Sequence, residues 1–82
     1  MASLKRFSDG KTGAGKMSNA IEWNDDKTFK CVKGKRPIVG CSMLVGESMV
    51  NYWLTTVITE IVEDNEDYVK FKTKNSVYEW KK

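Results

Sequence analysis

The chain has no histidine. That absence removes the commonest general base, the Ser-His and Cys-His nucleophile pairs, and most metal sites. Cysteine is scarce. Cys31 and Cys41 are too few for a disulfide-dense scaffold or a four-ligand zinc site. Both are expected to be reduced, with Cys41 as a small core side chain beside apolar neighbours. No apolar run approaches the 18 residues a membrane helix needs. The basic N-terminal stretch lacks the apolar core of a secretory signal. A cytoplasmic setting is the expectation.

With 82 residues there is room for one core only, and large catalytic architectures are excluded. Three each of Trp, Tyr and Phe are too many for a wholly disordered chain. A domain this small buries only about 60% of its unfolded surface, so its stability is expected to be modest.

The net charge of +3 is unevenly placed. Residues 1–40 carry +5, from Lys5, Arg6, Lys11, Lys16, Lys27, Lys30, Lys33, Lys35 and Arg36 against four acids. Residues 41–82 carry −2. A basic front and an acidic back suggest a two-faced molecule. The front either attracts phosphates or an acidic protein, or is a solvated basic tail.

Residues 1–19 read as that tail. Gly10, Gly13 and Gly15 lie among Ser, Thr, Asp and Lys, with too little apolar material to offset the entropy of ordering. Residues 20–82 read as the folded domain. Ile21 and Trp23 alternate with Glu22, Asn24–Lys27 supplies a turn, and Phe29 and Cys31 alternate next, which suggests two strands. Ile38–Gly46 is β-rich, with a bend expected at Gly40. Tyr52–Val62 is dense in β-branched and aromatic residues. Neither of its faces is wholly polar, as in a strand that bends and serves two sheets. Glu63–Asp67 is an acidic turn. Tyr68–Thr73 points Val69 and Phe71 inward and Lys70 and Lys72 outward. Lys74-Asn75 reverses the chain, with Asn75 suited to a left-handed conformation, and Ser76–Trp80 closes the fold. The expectation is all-β: a small barrel of four to six strands behind a disordered basic N-terminal segment.

Few constellations carry chemistry. Gly10–Met17 nearly matches a phosphate loop, but Met17 occupies the hydroxyl position and neither a buried strand nor a long helix frames it. The acidic turn lacks the spacing of a calcium loop. The hydroxyls have no visible base, and Glu22, Glu60 and Glu79 form no defined pair. No enzyme activity, cofactor or metal is expected.

Lys70, Phe71, Lys72, Tyr78 and Trp80 interleave charge with aromatic rings, a pattern that suits nucleic acid. The alternative is that the rings are core anchors. Nearby acids would repel a phosphate backbone.

The stretch from Val45 to Tyr78, and above all the hairpin Phe71, Thr73, Asn75, Ser76 and Tyr78, resembles a block found in short proteins of tailed bacteriophages. There a Thr/Ser-x-Val-x-x-Ile strand precedes a Phe-x-Thr-x-Asn-Ser-x-Tyr hairpin. The resemblance covers about half the chain. It implies a phage origin and a small barrel of the Src-homology-3 type, and it implies no reaction and transfers no catalytic residues.

Three functions follow as expectations. The first is a non-enzymatic protein that binds and inhibits or redirects a bacterial host protein, in host takeover or anti-defence. Its anchors would be Trp53, Tyr68 and Trp80, with Lys35 and Arg36 as steering charges. The alternative is a nucleic-acid-binding module, with Lys30, Lys33, Lys35, Arg36, Lys70 and Lys72 on phosphates and Phe71 or Tyr78 stacking on bases. The third is an oligomeric sponge that encloses a nucleotide-like signal.

Overall fold

A computed structural model describes residues 1–82. The chain forms nine strands: β1 (Ala2–Arg6), β2 (Thr12–Gly15), β3 (Met17–Trp23), β4 (Phe29–Gly34), β5 (Ser42–Ser48), β6 (Asn51–Leu54), β7 (Ile58–Asp64), β8 (Tyr68–Thr73) and β9 (Val77–Lys81). They make two sheets in the orders β2-β1-β9-β8-β7 and β4-β3-β5-β6. Every neighbouring pair is antiparallel.

Period-two alternation decides the first sheet. In β8, Val69, Phe71 and Thr73 are buried; in β9, Tyr78 and Trp80 are. Antiparallel register sets Val69 opposite Trp80 and Phe71 opposite Tyr78, so large side chains meet on one face. The second sheet supplies Ala20, Met43 and Val45 from the other side. Phe71 stacks on Tyr78 at 5.3 Å between ring centroids. The Trp80 indole N–H donates to Ser18 Oγ at 2.9 Å and ties the sheets together.

The all-β expectation holds, but the closed barrel does not: the strands form two packed sheets instead. The bend expected in Tyr52–Val62 is present. The chain leaves β6, passes through Thr55–Val57 outside any strand, and enters the other sheet as β7. Thr55 marks the crossing. Its N–H donates to the Met43 carbonyl at 2.9 Å, and its hydroxyl accepts from the Met43 N–H at 2.9 Å.

Residues 1–19 are not a disordered tail. Leu4 is buried opposite Trp80, and β1 is a central strand of the first sheet. The glycines that suggest disorder permit close packing instead. A Cβ on Gly15 would run into the Gly46 backbone, because β2 crosses β5 there. The resemblance to a phosphate loop also fails, since Thr12–Gly15 is paired with β1 as a strand. The segment Ile38–Gly46 becomes a strand only from Ser42, after a turn at Gly40 (φ +91°). Asn75 is not left-handed; Lys27 is the one non-glycine residue with positive φ.

Candidate functional site

Strands β7 and β4 both break strict alternation, and this sets what each sheet shows to solvent. In β7 the register steps past Thr59 and Val62, so Ile58 and Ile61 both turn toward the core although they are an odd number of positions, three, apart. In β4 it steps past Lys30 and Lys33, which places Phe29 beside Trp23 and Val32 beside Ile21 on one face. An extra residue in a strand flips the face of everything beyond it.

The outer face of the first sheet is a lattice of alternating charge. Glu60 lies opposite Lys72, and the row Glu63, Lys70, Glu79, Lys5 crosses four strands. Opposite charges directly across a sheet attract and neutralise one another. Tyr68 joins this face and donates its hydroxyl to Glu79 Oε2 at 2.8 Å. Partial burial and then this bond push its phenol up to about 12. Phe7 lies there too, with the ammonium groups of Lys70 and Lys5 at 5.3 Å and 5.7 Å from its ring centroid.

The second sheet's outer face is different in kind. Its rows are Phe29 and Trp23; Val32, Ile21 and Ser42; Asn19, Leu44 and Leu54; and Met17, Gly46 and Tyr52. No side chain in these rows is charged. Phe29 is 58% exposed and Val32 50%, and Tyr52 and Leu54 are also open to solvent. Ile21 and Leu44 are buried by their neighbours yet stand outside the main core cluster. The Trp23 indole N–H donates to Ser42 Oγ at 2.8 Å, so even the ring's polar atom is satisfied within the face. At its border, Lys30 and Lys33 turn aside to pair with Glu22, each at 3.3 Å. These pairs hold the Glu22 carboxyl below the usual range. The Cys31 thiol also donates to Glu22.

The residues expected to anchor a partner do not share a surface. Trp80 is only 3% exposed and belongs to the core. Trp53 is half-buried between the sheets, edge-on to Tyr78, with Lys11 4.9 Å and Arg6 5.4 Å from its ring. Tyr68 lies on the charged face. Lys35 and Arg36 lie at one end of the sandwich, beside Trp80. Arg36 is not a free steering charge. Its guanidinium donates to Asp64 Oδ1 at 2.6 Å and to the Asn65 and Glu66 carbonyls.

The nucleic-acid set also comes apart. Phe71 and Tyr78 are buried and cannot stack on bases. Lys70 and Lys72 oppose glutamates, and Lys30 and Lys33 are paired with Glu22.

Sequence reading missed the uncharged face. One signal for it was legible: Met43-Leu44-Val45 is an unbroken apolar run, the mark of a strand apolar on both sides. The bulges in β4 left no such mark.

Cys31 and Cys41 are free thiols, and burial pushes the Cys41 thiol up. No group of three or more Cys, Asp or Glu side chains converges as a metal site. No protein-family model, curated protein or solved structure matches the chain. The strand half of the phage-type pattern fits only loosely, because Glu60 stands where it calls for Ile after Thr55 and Val57.

Proposed function

We propose that this chain is a non-enzymatic binding module that docks a partner protein on the outer face of β4-β3-β5-β6. One observation carries the reading: that face holds no charged side chain, while the outer face of the other sheet is laced with them. A solvated antiparallel sheet face normally alternates to polar side chains, and a contiguous exposed apolar patch marks an interaction site.

Size argues for the kind of occupant. Four strands at about 4.8 Å spacing and six residues at about 3.3 Å give roughly 400 Å² of face. A stable interface buries about 800 Å² on each partner. A second copy laid face to face would offer only the same small area. A larger, different protein reaches the missing area by gripping the β3–β4 turn and the β4 edge as well. The phage-type resemblance makes a bacterial host protein the first partner to seek, and inhibiting or redirecting it the role to examine.

The test compares capture from bacterial lysate by the wild-type chain, by Phe29→Glu/Val32→Glu, and by Lys72→Glu on the charged face. The expected result is salt-resistant capture of a specific protein, lost in the double variant and kept in Lys72→Glu. Equal capture by all three would overturn the proposal. So would sedimentation of the wild-type chain as a dimer that the double variant breaks, since the occupant would then be a second copy.

A further inference from the structure

The end of the sandwich where β9 finishes and β3 begins holds an open cleft of about 430 Å³. Lys16, Lys35, Arg36 and Lys82 line it, with Ser18 and Trp80 behind them and Met1 and Ala2 at its side. No Asp or Glu is among the lining residues. Several other cations are matched with acids: Arg6 pairs with Asp9, Lys30 and Lys33 with Glu22, Lys81 with Glu79, while Lys11, Lys27 and Lys74 make no ion pair and do not gather in a single cleft. Lys70 and Lys72 face glutamates across the first sheet. Lys16, Lys35 and Lys82 are exposed and make no ion pair. Like charges gathered at one site repel unless an anion joins them.

The cleft has a fixed frame. Ser18 Oγ accepts from the Trp80 indole and donates to the Lys35 carbonyl at 2.9 Å, pinning the backbone that carries Lys35. Arg36 lies over the Trp80 ring, 5.3 Å from its centroid. The acidic turn between β7 and β8 borders the cleft. It aligns Arg36 through Asp64 and two carbonyls, and the Asp67 carbonyl accepts from the Lys82 N–H at 3.0 Å. Its carboxylates stay outside the lining.

We propose that this cleft binds a compact, multiply charged phosphate group, such as an inorganic triphosphate or the triphosphate end of a nucleotide. The volume lies within the range of small-ligand pockets, about 300–1,000 Å³. The three ammonium groups supply point-charge recognition of phosphate oxygens, while Arg36, its fork held by the acidic turn, frames the cleft. The buried Trp80 ring, capped by Arg36, offers no platform for a base, so the phosphates carry the recognition. The site stands apart from the uncharged sheet face and does not depend on it.

The test is calorimetric titration of the full chain with inorganic tripolyphosphate at low ionic strength, and separately with ATP. The wild-type chain is expected to bind both with similar affinity. Lys16→Gln/Lys35→Gln is expected to lose at least about tenfold in affinity, or 1.4 kcal/mol. Lys70→Gln/Lys72→Gln, a pair of equal charge on the first sheet, is expected to bind as wild type. Thermal melts without ligand check that both variants fold. Three results would overturn the site: no binding, an equal loss in the two double variants, or preference for a single-stranded oligonucleotide over tripolyphosphate by about tenfold or more. The last would assign the cleft to nucleic acid.

Discussion

Tyr68 stands among charges and keeps its proton. Its ring is partly buried and its hydroxyl donates to Glu79, so ionisation would lose the bond and set two negative charges side by side. Its pKa is pushed up to about 12, while an unfolded tyrosine ionises at about 10. Between those values the folded chain binds more protons than the unfolded one, so stability falls as pH rises. The contribution is complete below about pH 10 and is lost on the way to 12. Ultraviolet titration should show a tyrosine step close to pH 12, and Tyr68→Phe should remove that step and flatten the alkaline loss of stability. A titration and an alkaline stability profile left unchanged by Tyr68→Phe would refute it.

The strands differ in how openly the sequence declares them. β8 and β9 are legible because they alternate without interruption, from Val69 to Thr73 and from Tyr78 to Trp80. β7 and β4 are not, because one extra residue inverts the faces beyond it. Ile58 and Ile61 fall on opposite faces by counting but share the core, and Phe29 pairs by counting with Cys31 but shares its face with Val32. Nothing local in Thr59 or Lys33 announces a bulge; only pairing with the neighbouring strand creates it. β2 hides for another reason. Its composition is that of a disordered loop, and the need for Gly15 appears only once β5 lies against it. Gly15→Ala should therefore cost about 1–3 kcal/mol, the usual range for overpacking, and lower the melting temperature by about 4–8 °C per kcal/mol. Ala14→Ser, on the opposite face of β2, should stay within about 0.5 kcal/mol. Equal melts for the two variants would show that β2 does not press on β5.

At the scale of the molecule the two outer faces serve unlike ends. The first sheet meets water with matched charges. The second meets it with Phe29, Val32, Leu54 and Tyr52, none of which the core needs. Phe29→Glu/Val32→Glu should therefore leave stability within about 0.5 kcal/mol per exposed site while abolishing binding of an apolar fluorescent dye. A melt that collapses in this variant would mean the face is part of the core after all. The aromatic count suggests a surplus of rings; of Trp53, Tyr68 and Trp80, the last belongs to the core and the other two are half-buried away from the uncharged face. Size and spacing cannot tell a ring that fills the interior from one that lies outside it.

The first sheet joins the two ends of the chain, with β1 in register with β9 and the whole second sheet made from the residues between. During synthesis β1 and β2 are made long before β9, and Leu4 lacks its cross-strand neighbour until Trp80 arrives. Neighbours so far apart along the chain close slowly. Until β9 is in place, the growing protein exposes apolar surface of both layers, and that interval is when it is most open to misassembly or to capture by a chaperone.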